Sequence, residues 1–141
     1  MPSVVVLEIP PRRDHLALVR LVVSGTASIE RLVPERRMED LRLAVSEACS
    51  NAVDAQLARG ATDPLVIRMV VEKDSVEVTV TDHAGGFDPG EVTPAPRPTD
   101  PQRLRHERGL GIPLMRSLVD DVSFAPSDGG TAVSLVIRWS P

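Results

Sequence analysis

A chain of 141 residues with 42% apolar and 26% charged residues has the size and composition of one ordinary globular domain. A formal charge of −4 argues against a protein that grips a phosphate backbone, so no direct nucleic-acid partner is expected. The single cysteine, Cys49, excludes an internal disulfide and a multi-cysteine zinc site, and His15, His83 and His106 lack metal-ligand spacing. No apolar run is long enough to span a membrane, and the opening MPSVVVLEIPPRRD lacks the basic start of a signal peptide. The expected location is cytoplasmic, without a membrane partner.

The first predicted element is a β-branched strand, Ser3–Ile9, which Pro10 and Pro11 terminate. Residues 12–31 carry Leu16, Val19, Leu21, Val22 and Val23 and are predicted to be helical, in one or two pieces. Pro34 then precedes the organising helix, predicted over 41–59 because no Gly or Pro interrupts it and Gly60 follows its last turn. At about 100° per residue, Leu41, Ala44, Val45, Ala48, Ala52 and Ala55 share an apolar stripe. Cys49, inside this helix, is expected to be a small core residue rather than a nucleophile. Glu47 and Asn51 are four residues apart and therefore share a face at the border of that stripe. Taken alone the pair suits a solvated helix edge better than a polar site half turned toward the core.

Residues 64–72 are predicted to be a strand, joined by a tight Lys73-Asp74 turn to a second strand over 75–82. Alternation places Val76, Val78, Val80 and Asp82 on one face, so Asp82 points toward the side that buries the valines. With Gly85-Gly86 just beyond, Asp82 either accepts a hydrogen bond from a buried amine, such as that of adenine, or merely starts a turn. Residues 88–108 hold five prolines and end in Arg103, Arg105, His106 and Arg108, a composition that suits a functional lid or a linker. The helix predicted over 113–119 follows Gly109-Leu110-Gly111, and a helix N-terminus behind basic residues suits phosphate oxygens. The chain closes with strands predicted over 122–125 and 131–139, joined by a turn through 126–130. On the last strand Thr131 shares a face with Val133, Leu135, Ile137 and Trp139.

Taken together, Glu47-x-x-x-Asn51, Asp82-x-x-x-Gly86-Phe87, Arg108-Gly109-Leu110-Gly111 and Gly129-Gly130-Thr131 resemble the four nucleotide-binding boxes of the GHKL ATPase superfamily. The chain's length and the wording SEACSNAVDA are most similar to its anti-sigma-factor serine-protein kinases. The resemblance covers nearly the whole chain and implies a single domain, 1–141, with the Bergerat fold. That fold is an α/β (α+β) two-layer sandwich, with a mixed, mainly antiparallel sheet, helices on one face, and an ATP lid at about 88–108. By the same resemblance, Asn51 holds Mg²⁺, Glu47 is the general base, Asp82 reads adenine and Thr131 supports it. Ala84 and Gly86 belong to the adenine box, while Gly109, Leu110 and Gly111 cradle phosphates whose charge Arg105 or Arg108 neutralises. The implied cofactors are ATP and Mg²⁺. The implied partners are a sigma factor, a STAS-domain anti-anti-sigma factor that is phosphorylated, and a second copy in a homodimer. One departure stands out. The family usually has Gly where this chain has Ala84, which keeps open an alternative: a catalytically weak or inactive ATP-binding module that regulates by binding alone.

Overall fold

Five strands form one sheet in the order β1-β2-β3-β5-β4: β1 (Ser3–Ile9), β2 (Leu65–Val71), β3 (Ser75–Thr81), β4 (Asp121–Ser127) and β5 (Gly130–Arg138). The computed structural model describes residues 2–30, 33–85 and 111–139, and every strand pairing within them is antiparallel. A sheet expected to be mixed and mainly antiparallel is thus antiparallel throughout its described pairs. Alternation sends Leu65, Ile67, Met69 and Val71 of β2 to the same buried face as Val76, Val78 and Val80 of β3. Leu135 and Ile137 of β5 complete that face, opposite Val78 and Val76. Residue 126 is a proline that lies inside β4, which pairs with β5 alone; an edge strand tolerates the missing N–H. The turn joining β4 to β5 is correspondingly shorter than the sequence suggests, because Ser127 already pairs with Gly130.

Among the described residues, three helices cover the buried face. A 3₁₀ turn, Arg13–His15, leads into α1 (Leu16–Glu30), confirming two pieces. The central α2 (Glu35–Arg59) packs on β3 and β5, with α1 beside it over β2 and α3 (Gly111–Leu118) on its other flank toward β4. Leu41, Val45 and Val53 of α2 are buried, and Ala44, Ala48 and Ala52 keep side-chain bulk low so that the helix approaches the sheet closely. Ala55, expected on that stripe, is half-buried. Truncating a fully buried Leu such as Leu41 to Ala would cost about 2–5 kcal/mol.

The start of α2 differs from expectation by six residues, 41 against Glu35. Its first turn folds on Pro34, whose carbonyl accepts from the N–H groups of Arg37 and Met38 at 2.9 and 3.1 Å. Glu35 in that turn suits the positive helix end. Arg37 adds tertiary support, donating to Asp40 at 3.0 Å, to the Leu118 carbonyl at the end of α3 at 3.2 Å, and to Asp120 at 2.9 Å. At its other end α2 stops as expected: Gly60 adopts a left-handed φ of 67°, and its N–H and that of Ala61 return to the last turn.

Candidate functional site

The corner where β3 ends is built around Asp82, which is 9% exposed. Its N–H donates to the Thr131 carbonyl at 2.9 Å. Its Oδ1 accepts from the N–H groups of Ala84 at 3.0 Å and Thr131 at 3.3 Å. Two backbone donors on one oxygen fix the carboxylate's direction. Thr131, itself buried, therefore meets Asp82 through its backbone N–H and carbonyl. Gly85, at φ 84°, donates to the Gly129 carbonyl at 2.8 Å, which ties the loop after β3 to the β4–β5 turn.

Glycine is needed where these segments cross. A Cβ on Gly130 would stand 1.8 Å from the Asp82 carbonyl oxygen, so no other residue lets β5 pass this close. At Gly85 the space beside the backbone is taken by the Arg59 guanidinium, 2.6 Å from where a Cβ would lie. Ala84, by contrast, has its methyl group buried at 7% exposure.

A residue that pattern reading passes over completes the corner. Gln56 is fully buried on α2. Its Nε2 donates to the Asp63 carbonyl at 2.7 Å, and its Oε1 accepts from the His83 N–H at 3.0 Å. The available signal was a lone amide at helical spacing from Cys49, Ala52 and Val53, within an otherwise apolar stripe. Nearby, His83 Nδ1 is buried without a partner among the described residues.

Glu47 and Asn51 are both half-buried on α2, at the border predicted for them. Glu47 lines a groove of about 750 Å³ between α1 and α2, together with Arg20, Leu21, Arg42 and Leu43. Asp82, Ala84 and Thr131 do not line that groove; they belong to the corner at the β3 end. Cys49 faces the core, and burial pushes its thiol up to about 12, as expected for an inert packing residue. Gly111 opens α3. Gly86, Arg105, Arg108, Gly109 and Leu110, and the lid expected at 88–108, lie outside the described residues.

Among the described residues no group of three or more His, Cys, Asp or Glu is arranged to hold a metal. Magnesium needs no such cage. It is commonly held by one or two protein oxygens plus the phosphates of its nucleotide, and an Asn with a Glu one turn away supplies donors of that kind. No described helix is long and apolar enough to cross a membrane.

Helices on one face of an antiparallel sheet, with an acid fixed at the end of a central strand, are the framework of a histidine-kinase-type ATPase domain. Residues 9–137 match the family model described as "Histidine kinase-like ATPase domain". The chain is 35% identical over 133 residues to serine-protein kinase RsbW of Bacillus pumilus (strain SAFR-032), covering 89% of this chain and 80% of that protein. It is 33% identical over 128 residues to serine-protein kinase RsbW of Bacillus subtilis (strain 168), covering 89% and 79%. A crystal structure of the RsbU and RsbW domains of Rv1364c from Mycobacterium tuberculosis superposes with a TM-score of 0.69 at 18% identity, a likeness of fold. That match covers 96% of this chain, which spans 32% of the solved one. The chain belongs to the histidine kinase-like ATPase family and, within it, to the serine-protein kinases named RsbW.

Proposed function

We propose that the protein is an Mg-ATP-dependent serine/threonine-protein kinase and anti-sigma factor, which phosphorylates a STAS-domain anti-anti-sigma partner and sequesters a sigma factor. The observation that carries the nucleotide part is the Asp82 carboxylate, nearly buried and aimed by two backbone N–H groups. An acceptor held this way suits the exocyclic amine of adenine and rejects a base that presents a carbonyl there. Asn51 would hold Mg²⁺ through its carboxamide oxygen, and the ion, when bound, supplies charge neutralisation at the phosphates. Gly86, Ala84 and Thr131 would frame the base, while Gly109, Leu110, Gly111, Arg105 and Arg108 would meet the phosphates.

Glu47 has the role of general base. The hydroxyl of the partner's serine gives its proton to the Glu47 carboxylate as its oxygen bonds to the γ-phosphorus, and the bond to the departing ADP oxygen breaks. The place of Glu47 on the α1–α2 groove supports this role, since a protein substrate must reach its base from outside. Among the described strands β1 lies at one end of the sheet, with Val4 49% and Val6 57% exposed, and it is the element we assign to a homodimer. A cytoplasmic location belongs to the same reading.

The test is direct transfer. The purified protein with γ-labelled ATP, Mg²⁺ and its STAS-domain partner should label a partner serine or threonine. Glu47→Ala should lower that rate by about 10²–10⁴-fold while Mg-ATP binding by calorimetry is retained. ATP binding without transfer by the wild type would leave a regulatory module that acts by binding alone, the reading that the buried Ala84 methyl favours.

A further inference from the structure

We infer that Gln56 is a positioning residue for base selection, acting through the loop that carries Asp82. The inference rests on the nucleotide reading of Asp82. Gln56 is 0% exposed in a helix face that otherwise buries Ala52, Val53 and Cys49. Packing alone does not ask for an amide there, because Met or Leu would fill a similar volume without polar atoms to satisfy. Both polar ends are used. Nε2 holds the Asp63 carbonyl ahead of β2 at 2.7 Å, and Oε1 holds the His83 N–H just past β3 at 3.0 Å. The second bond is the informative one, since it ties the residue next to Asp82 to α2, whereas Thr131 ties Asp82 itself to β5.

The Asp82 loop is thus clamped from two directions. Thr131 and Gly129 hold it to β5 and its turn, and Gln56 holds it to the helix that also carries Asn51. One side chain sets the span between a base-reading carboxylate on the sheet and a metal-holding amide on the helix. His83 Nδ1 is already buried without a partner among the described residues, so freeing the His83 N–H would add a second unsatisfied group.

Calorimetric titration of the full chain with Mg-ATP and with Mg-ITP, which has a carbonyl where adenine has its amine, separates positioning from general support. The wild type should prefer ATP, and Asp82→Asn should erase that preference. Gln56→Met should weaken ATP by about tenfold and ITP far less, so that the ratio shrinks. An equal loss for both nucleotides, or no loss, overturns the role of Gln56 while leaving the Asp82 reading intact. A wild type that treats ATP and ITP alike, or an Asp82→Asn variant with unchanged preference, overturns the Asp82 reading and this inference with it. If circular dichroism shows that Gln56→Met does not fold, Gln56→Asn, with the same amide one methylene short of both partners, is judged by the same ratio.

Discussion

At the end of β3, polar groups are drawn fully inside and bonded to backbone; along the α1–α2 groove they stand half-buried or exposed. Asp82, Thr131 and Gln56 are all buried, and their partners come from separate parts of the chain. In the groove, Leu21 is 70% and Leu43 46% exposed, Arg42 reaches Glu39 at 4.0 Å, and Ser24 accepts from Arg42 at 3.4 Å. Contacts that long between partly exposed groups contribute little to stability. The difference separates two tasks. A small ligand of fixed shape is best met by atoms that folding has already placed, whereas a protein partner brings its own surface to cover leucines that the isolated chain leaves wet.

The comparison predicts that a single methyl group at the corner outweighs a whole side chain in the groove. Gly130→Ala should produce the largest loss, at least about 3 kcal/mol of unfolding free energy in urea titrations, or a chain that does not fold. The added carbon meets a backbone carbonyl at 1.8 Å, and backbone cannot swing aside as a side chain can. An unfolding midpoint within error of the wild type would mean that β5 does not cross Asp82 so closely. The corner would then lose its claim to be pre-formed.

Much of this corner was legible in the sequence because its signals are local. Val76, Val78 and Val80 set the phase of β3, and the phase alone turns Asp82 inward. Lys73-Asp74 marks the β2–β3 hairpin, where the Glu72 N–H indeed donates to the Ser75 carbonyl. Gly60 marks the end of α2. Signals that depend on distant residues were silent. The first turns of α2 lay outside the helix predicted over 41–59, with Met38 their one buried residue, because their support comes from Arg37 bonding to Leu118 and Asp120, 81 and 83 residues away. Gln56 went unnoticed for the same reason: its role rests on His83, 27 residues on, whereas helical periodicity registers only that one stripe position is not apolar. The boundary of β4 failed differently, since Pro126 signals a turn in sequence but is harmless on an edge.

Cys49 and Ser46 carry the comparison onto a single helix, one side chain facing the core and the other the groove. Burial raises the Cys49 thiol from its ordinary 9.0 to about 12. The unfolded chain therefore gives up this proton at a lower pH than the folded one. The associated stability is whole below pH 9 and declines from there toward pH 12. Between pH 8 and pH 10 the wild type should lose about 1.4 kcal/mol relative to Cys49→Ala, measured by denaturant titration of both. A thiol reagent at pH 8 should label Cys49 only as fast as the domain opens, but should label a Ser46→Cys variant at position 46 at once. Rapid labelling of Cys49 in the wild type would show that the sheet-facing side of α2 is looser than the corner requires.

The smallest expected effect is the sharpest test of the groove. Leu21→Ser removes the most exposed of the large apolar side chains among the described residues, and its stability should change by less than about 0.5 kcal/mol. Mg-ATP affinity should not change either, because Leu21 lines the groove and not the corner around Asp82. The STAS-domain partner should nevertheless bind about tenfold more weakly, since an apolar contact central to an interface is often worth over 1 kcal/mol. That pattern, an intact fold and nucleotide site with a weakened partner, cannot arise from a corner defect, where fold and nucleotide affinity fall together. Unchanged partner affinity would remove Leu21 and the groove around it from the docking surface.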